Sequence, residues 1–183
     1  MQGKIRLIGG KWRSRKLDVL EADNLRPTPN RIRETLFNWL SPYVSGAVCL
    51  DLYAGTGALG FEALSRGAES VVMVDHNRDV IFNLQKQAQK LGASAAEIAN
   101  SDVMAWLTQC QQSFDIVFID PPYQSMLLEP TIDKLINCGC LNQASLLYVE
   151  SDSNIDINNN YVEMIKSGNA GKVEFQLLLN RKD

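Results

Sequence analysis

A chain of 183 residues can bury one full hydrophobic core, and a composition of 45% hydrophobic and 21% charged residues is typical of a soluble globular domain. No apolar run reaches the roughly 20 residues of a membrane span, and no apolar block follows the charged N-terminus as it would in a signal peptide, so we expect a cytoplasmic protein with no membrane partner. The net charge of −3 argues weakly against a nucleic-acid partner.

The positive charge is concentrated at the start of the chain. Residues 1–33 contain nine Lys or Arg residues and three acids, a balance of +6, whereas the rest of the chain balances to −9. A basic segment of this kind is typical of a surface that binds a phosphate backbone. A basic surface that only contacts solvent would have the same composition, so charge alone leaves both interpretations open.

The basic segment contains a predicted hairpin and a predicted helix. Apolar residues in 4–8 and 16–20 flank a glycine-containing basic turn, which indicates a small hairpin or two short strands. Thr28 is the expected N-cap of the helix, and Pro29 is its expected first residue. The apolar face of the helix would be formed by Ile32, Leu36, Phe37 and Leu40.

Beyond this segment, apolar strands alternate with amphipathic helices. Strands are predicted at 47–52, 70–75, 96–100, 115–120 and 146–151, and helices at 57–67, 77–91, 102–111 and 127–138. Continuous apolar strands joined by helices predict an α/β fold with a parallel sheet covered on both faces. Two last segments, 161–167 and 173–180, predict a terminal antiparallel hairpin. Ligands of such sheets bind beyond the carboxyl ends of the strands.

A glycine-rich stretch, LDLYAGTGALGFEAL (50–64), follows the first predicted strand and opens a helix. Gly55, Gly57 and Gly60 fit the pattern G-x-G-x-x-G, and Asp75 lies twenty residues after Gly55 at the end of the next strand. This spacing matches the dinucleotide-binding fingerprint, in which the acid binds the ribose hydroxyls. A tight turn without a ligand would need the same glycines.

Asp51 distinguishes between two cofactors for this loop. A carboxylate just before the loop would repel the pyrophosphate of NAD, whereas it would attract the ammonium and sulfonium groups of S-adenosylmethionine. Asp75 would then bind the ribose hydroxyls, and Asp102, after the third strand, would accept the adenine amine. The pattern favours S-adenosylmethionine, and NAD remains the alternative.

The fourth predicted strand ends in the sequence DPPY, which combines an acid, two prolines and an aromatic residue. Pro121 and Pro122 make the turn rigid and remove two backbone donors, so the carboxylate of Asp120 and the carbonyl of Pro121 remain as acceptors. Tyr123 adds a flat face for stacking. Two acceptors and an aromatic ring suit a planar ring with an amino group, although the same four residues would also make a simple rigid turn.

Such a loop would activate a nucleobase amine for methylation. The lone pair of this nitrogen is delocalised into the ring, and hydrogen bonds to Asp120 and Pro121 would turn it toward the methyl group. Catalysis would then rest on positioning and electrostatics, without a metal. A base in a duplex would have to flip out of its stack to reach Tyr123.

The cysteines do not indicate a structural zinc site. Cys138 and Cys140 are separated by one residue, whereas zinc pairs usually have two to four, and His76 is the only histidine. We expect free thiols and no metal.

Several longer motifs of the chain resemble those of known methyltransferases. DLYAGTGALGFEALSRGA followed by DPPY is similar to the class I amino-methyltransferases that use S-adenosylmethionine. IRLIGGKWRSRKL, LRPTPNRIRETLFNWL and EALSRGA together resemble the bacterial 16S rRNA (guanine-N2)-methyltransferases that modify guanine 966. The resemblance implies a Rossmann-like fold with a mostly parallel seven-stranded sheet. It also implies an RNA-binding extension at 1–43 and a methyltransferase domain at 44–183.

The resemblance also implies roles for single residues. The catalytic loop would consist of Asp120, Pro121, Pro122 and Tyr123. The cofactor positions and their neighbours would be Asp51, Tyr53, Gly55, Thr56, Gly57, Asp75, His76, Ser101 and Asp102, although His76 is also consistent with an incidental loop residue. The expected RNA-binding residues are Lys11, Trp12, Arg13, Arg15, Arg26, Arg31 and Arg33, of which Trp12 is equally consistent with packing.

Methyl transfer to guanine N2 in 16S rRNA is therefore the leading hypothesis, and other functions compete with it. An adenine-N6 DNA methyltransferase would have the same cleft but normally needs a target-recognition domain, for which 183 residues leave no room. Enzymes that methylate a glutamine amide usually carry asparagine at the position of Asp120. An RNA-binding module without catalysis would not need Asp51, Asp120 and Tyr123. We expect a monomer whose target is presented by the small ribosomal subunit or an assembly intermediate.

Overall fold

The computed structural model describes residues 3–19, 30–122, 126–151, 157 and 160–182. The strands are β1 (Lys4–Arg6), β2 (Lys16–Asp18), β3 (Val48–Leu52), β4 (Ser70–Asp75), β5 (Ala96–Asn100), β6 (Phe114–Ile119), β7 (Leu141–Ser151), β8 (Val162–Ala170) and β9 (Val173–Asn180). The helices are α1 (Asn30–Trp39), α2 (Ala58–Ser65), α3 (Arg78–Leu91), α4 (Val103–Gln109) and α5 (Leu128–Cys138). No helix among these residues is long and apolar enough to span a membrane.

The central sheet has seven strands in the order β5-β4-β3-β6-β7-β9-β8. Strands β3 to β7 pair in parallel, and β9 pairs antiparallel with both β7 and β8. The predicted parallel sheet and C-terminal hairpin are therefore confirmed. Strand β7 begins earlier than predicted, because Leu141 already pairs with Phe114 ahead of an irregularity that includes Ala144 at a φ of 60°.

Alternate residues of each central strand pack on opposite faces of the sheet. On one face, Cys49, Met73 and Phe118 pack in the same buried cluster as side chains of α1, α2, α3 and the N-terminal hairpin. On the other face, Leu50 and Val117 pack with side chains of α4 and α5. The continuous apolar strands thus reflect burial on both sides.

Helix α1 presents its predicted apolar face to the core. Ile32, Leu36, Phe37 and Leu40 are all buried. Thr28 and Pro29, the predicted start of this helix, lie outside the described residues, and the described part of the helix begins at Asn30.

The N-terminal strands β1 and β2 form the predicted hairpin, which docks on α2. The carboxylate of Glu62 accepts hydrogen bonds of 2.8 Å from the N–H groups of Ile8 and Gly9. The hydroxyl of Ser65 accepts a 2.9 Å bond from the N–H of Trp12 and donates a 2.6 Å bond to the carbonyl of Gly9. The turn of the hairpin is therefore held against the second half of α2.

Gly10 explains why this turn needs a glycine. Its φ is 71°, and a Cβ atom there would lie 1.7 Å from the carbonyl oxygen of Ser65. Any other residue would push the turn away from α2.

The carboxyl ends of the parallel strands meet at one edge of the sheet. Helix α2 starts there after Gly57, and α3 starts after Asn77, whose side chain accepts the N–H of Asp79 at 2.9 Å. Helix α4 starts after Asp102, which accepts the N–H of Ala105 at 2.9 Å. The predicted motifs therefore all fall at the same edge.

Candidate active site

Asp51 is a buried acid at the end of β3. The residue is only 3% exposed, and its Oδ2 accepts a 2.9 Å hydrogen bond from the N–H of Gly60. Burial is the main cause that raises the pKa of Asp51 to about 8; the hydrogen bond from Gly60 opposes this rise, and the negative charge of Asp75 adds to it. In the part of the chain that the structure describes, no cationic side chain pairs with Asp51. A cationic ligand group would stabilise its charged form.

Asp75 ties the glycine loop to the end of β4. Its Oδ2 accepts the N–H of Gly55 at 3.0 Å, and its Oδ1 accepts the N–H of Asn77 at 2.9 Å. The amide of Gly55 is therefore bound to a carboxylate, which disfavours a pyrophosphate at this point. A carboxylate offers about four acceptor positions, so Asp75 retains capacity for ribose hydroxyls.

The local structure also requires glycine at two positions of the loop. Gly57 has a φ of 71°, and a Cβ atom there would lie 2.5 Å from Leu84 Cδ2 and 2.8 Å from Phe61 Cε2. At Gly60 a Cβ atom would lie 3.0 Å from Asp51 Oδ2. The loop pattern thus combines a left-handed turn with close packing of α2 on the sheet.

Tyr53 links the glycine loop to the helix that follows the DPPY loop. Its hydroxyl lies 2.7 Å from the hydroxyl of Thr131 on α5. Burial raises the pKa of Tyr53, and its φ of 58° is unusual for a non-glycine residue. Thr56, which follows in the same loop, is buried.

The remaining predicted cofactor residues surround Asp75. The N–H of Ser101 donates a 3.0 Å bond to the carbonyl of Asp75. Asp102 is exposed at the start of α4, and His76 is exposed with its Nδ1 at 3.7 Å from Asp75 Oδ1. The structure therefore gathers the predicted cofactor residues along the ends of β3, β4 and β5.

The catalytic loop begins directly after β6. Asp120 and Pro121 are partly buried, and Pro122 is exposed. Tyr123 lies outside the described residues. Since β3 and β6 are neighbours in the sheet, Asp120 follows the strand next to the one that carries Asp51.

Two further groups, which the sequence interpretation missed, lie beside Asp120. Tyr148 is fully buried on β7, and its hydroxyl donates a 2.8 Å bond to Oε2 of Glu150. Burial, followed by the negative charges of Glu150 and Asp120, raises the pKa of Tyr148 well above its usual value. An acid at the carboxyl end of an apolar strand was the available signal, but only the β6–β7 pairing places it at the cleft.

The predicted RNA-binding residues divide into exposed and buried sets. Those that face solvent are Lys11, Arg13, Arg15 and Arg31. Trp12 is buried beneath the Nζ of Lys11, which lies 4.3 Å from its ring centroid. Trp12 therefore packs in the core and does not offer its ring for stacking on RNA, which corrects that part of the prediction. Arg26 lies outside the described residues.

Arg33 is buried, which corrects its predicted role as an RNA-binding residue. It is 0% exposed, and its Nη2 donates bonds of 2.8 Å to the carbonyl of Arg6 and 2.6 Å to Oδ1 of Asn30. Burial lowers its pKa, while the charge of Glu62 opposes this effect. Its Nε and Nη1 are buried without a hydrogen-bond partner among the described residues. Arg33 therefore joins α1 to the hairpin instead of facing RNA.

Other basic residues of the hairpin were missed. Lys4, Arg6 and Lys16 are exposed, whereas Ile5 and Leu17 between them are buried. This alternation with a period of two was the signal that distinguishes the outward face of the hairpin.

Comparison with known proteins assigns the chain to a family. The family model described as Conserved hypothetical protein 95 matches residues 5–179. The ribosomal RNA small subunit methyltransferase D of Escherichia coli K12 is 49% identical over 150 residues, which cover 82% of this chain and 76% of that protein. The chain belongs to the ribosomal RNA small subunit methyltransferase D family.

Two further proteins match nearly the whole chain, one by sequence and one by structure. The family protein of Haemophilus influenzae is 41% identical over 185 residues, covering 98% of this chain and 95% of that protein. A solved Escherichia coli structure, yhhF, described as a candidate methyltransferase, is 40% identical with a TM-score of 0.92. That comparison covers 99% of this chain and 100% of the other. The match to this solved structure therefore extends over nearly the whole chain.

Proposed function

We propose that the chain transfers a methyl group from S-adenosylmethionine to the exocyclic N2 of a guanine in 16S rRNA, guanine 966, within the small ribosomal subunit or an assembly intermediate. The observation that carries the proposal is a buried acid without a cationic partner among the described residues, Asp51, one strand away from the acceptor loop at Asp120. Membership of a family named for small-subunit rRNA methylation supports RNA as the substrate.

The cofactor side of the cleft consists of three acids. Asp51 binds the ammonium group, Asp75 accepts the ribose hydroxyls and Asp102 accepts the adenine amine. When bound, S-adenosylmethionine supplies a methyl group on a positively charged sulfur. The hydrogen bonds to Gly55 and Gly60 hold Asp75 and Asp51 in place before the ligand arrives.

The substrate side of the cleft orients the amine. The carboxylate of Asp120 and the carbonyl of Pro121 accept the two N–H bonds of guanine N2, which turns the lone pair of the nitrogen out of the ring plane. As the N–C bond forms, the bond between the methyl group and sulfur breaks and S-adenosylhomocysteine is left as the product, while the nitrogen becomes acidic and its proton passes to Asp120. Since this acidity develops only during the reaction, Asp120 does not need to be a strong base.

Glu150 favours guanine over adenine. Guanine N1 carries a hydrogen, whereas adenine N1 carries a lone pair. A buried carboxylate next to the amine site accepts the guanine N1–H and repels the adenine lone pair. Glu150 is buried and fixed by the Tyr148 hydroxyl at 2.8 Å, so its orientation is set before the base enters.

Nucleoside analysis of the product tests this proposal. Labelled S-adenosylmethionine is incubated with naked 16S rRNA, with small subunits lacking the modification and with duplex DNA, and the digested nucleosides are identified by mass spectrometry. We expect N2-methylguanosine from RNA with the wild-type protein and none with Asp120→Ala. N6-methyladenine, or product that persists in Asp120→Ala, would contradict the proposal.

A further inference from the structure

Helix α3 presents an exposed aromatic side chain between two cations. Phe82 is 70% exposed, the most exposed aromatic residue among those that the structure describes. Arg78 and Lys86 lie four residues before and after it, so all three share one face of the helix. Both cations are exposed, and neither forms an ion pair within the described residues. We call these three residues the α3 strip.

The α3 strip leads from the cleft toward the hairpin. Arg78 is the first residue of α3, three positions after Asp75, so the strip begins at the cofactor edge of the sheet. Further along the helix, Asn83 donates a 3.0 Å bond to the carbonyl of Asp18, and Lys90 pairs with the carboxylate of Asp18 at 2.6 Å. Strand β2 therefore lies next to the helix that carries the strip.

The outward face of the hairpin continues this positive surface. Lys4, Arg6 and Lys16 are exposed, and Arg6 lies directly opposite Lys16 in the β1–β2 register. Like charges at facing positions of a strand pair destabilise the pair. A bound polyanion would neutralise that repulsion.

The residues around Phe82 favour RNA over a protein partner. A protein interface needs a contiguous apolar core, whereas the exposed residues one turn away from Phe82 on α3 are all charged or polar: Arg78, Asp79, Gln85 and Lys86. A single aromatic ring between cations suits an unpaired base whose phosphates lie on either side.

We infer that the α3 strip and the outward face of the hairpin form one track for a single-stranded segment of the substrate RNA. Phe82 stacks on an unpaired base outside the catalytic pocket, and Arg78 and Lys86 bind the adjoining phosphates. This inference rests on the proposed function, because it takes rRNA as the substrate. It adds a site for a second nucleotide, at a distance from the methylated one.

Substitutions at Phe82 test the stacking. Filter binding of naked 16S rRNA is measured for Phe82→Ala, Phe82→Trp and the wild type. The matched control is Tyr43→Ala, which removes a 54% exposed ring in the turn between α1 and β3. We expect Phe82→Ala to raise the Kd about tenfold, as for the loss of one base–aromatic stack. Phe82→Trp and Tyr43→Ala should retain the wild-type Kd, and S-adenosylmethionine affinity should be unchanged in all variants.

The salt dependence of binding tests the cations. Each phosphate contact to single-stranded RNA contributes about 0.7 to the slope of log K against log salt. The double variant Arg78→Ala/Lys86→Ala should therefore lower this slope by about 1.4. An unchanged slope would show that these side chains do not bind phosphate and would overturn the track.

The outcomes separate this inference from the proposed function. If the wild type makes N2-methylguanosine and Phe82→Ala binds rRNA normally, the track is wrong and the catalytic proposal stands. If Phe82→Ala loses rRNA affinity while the wild-type product is another nucleoside, the track stands and the catalytic proposal fails. If size-exclusion chromatography shows a wild-type dimer that becomes a monomer in Phe82→Ala, this face would instead be a contact between copies of the chain, and that result would also overturn the track.

Discussion

The N–H of Gly60 donates a 2.9 Å hydrogen bond to Oδ2 of Asp51 and so joins the first turn of α2 to the end of β3. The bond orients a buried carboxylate toward the edge where the glycine loop lies. Because burial raises the pKa of this carboxyl group to about 8, the acid is largely neutral near pH 7 without a ligand. Asp51 must therefore lose its proton before it can pair with a cation.

The first prediction concerns cofactor binding at different pH values. Between about pH 6 and about pH 8, a rising pH deprotonates Asp51, so the affinity for S-adenosylmethionine should rise, by up to about tenfold per pH unit. Asp51→Asn should bind weakly and with little dependence on pH in this range. Isothermal titration calorimetry measures both. A wild-type affinity that falls from pH 6 to pH 8 would contradict the assigned role.

The second prediction concerns base selection by Glu150. Glu150→Gln replaces a carboxylate acceptor with an amide, which should lower kcat/KM for rRNA by about 5- to 100-fold, the range for one unsatisfied buried hydrogen bond. Affinity for S-adenosylmethionine should not change. Tyr148→Phe, which removes the hydroxyl that holds Glu150, should have a smaller effect in the same direction. Wild-type turnover in Glu150→Gln would contradict guanine recognition by this carboxylate.

The third prediction separates backbone strain from crowding at two glycines. Gly57 and Gly92 have similar positive φ values of 71° and 65°, but a Cβ atom at Gly92 would meet nothing within 4 Å. Gly92→Ala should therefore cost about 1–2 kcal/mol of unfolding free energy, the strain alone. Gly57→Ala should cost more, because its methyl group would displace Leu84 and Phe61. Urea unfolding of both variants checks the order, and equal losses would contradict it.

The fourth prediction concerns the docking of the hairpin on α2. Glu62→Ala leaves the N–H groups of Ile8 and Gly9 without their acceptor, at a local cost of about 1–3 kcal/mol. Hydrogen exchange at these two amides should become faster by a corresponding factor. Affinity for rRNA should fall more than affinity for S-adenosylmethionine, because the basic face is carried by the hairpin. Unchanged exchange at Ile8 and Gly9 would show that Glu62 does not hold the turn.

Most of the fold was predictable from the sequence. Strands β3, β4, β5 and β6 were located within one residue, because each is a mostly apolar run with an acid or an asparagine at or next to its end. Asp51, Asp75 and Asp102 were recognised because they stand at predicted strand ends, and parallel strands bring those ends together. The glycine spacing then identified the loop, and the structure shows which glycines the turn and the packing require.

Sequence reasoning failed where tertiary packing decides the outcome. Arg33 lies in a basic segment, but the position of the hairpin buries it against Arg6. The pairing of Tyr148 with Glu150 follows from the strand order of the sheet, since β7 lies beside β6. Chain spacing does not give that order. The early start of β7 was hidden because residues 142–145, three of which are polar, interrupt its apolar pattern.

The most direct test of the account maps the methyl group in the substrate RNA. Small subunits that lack the modification are incubated with S-adenosylmethionine and the wild-type protein or Asp120→Ala. The 16S rRNA is then cut into fragments by a guanine-specific nuclease and analysed by mass spectrometry. We expect one added methyl group in the fragment that contains guanine 966 with the wild-type protein, and none with Asp120→Ala. A methyl group at another nucleotide, or no methylation of subunits by a protein that binds S-adenosylmethionine, would contradict it.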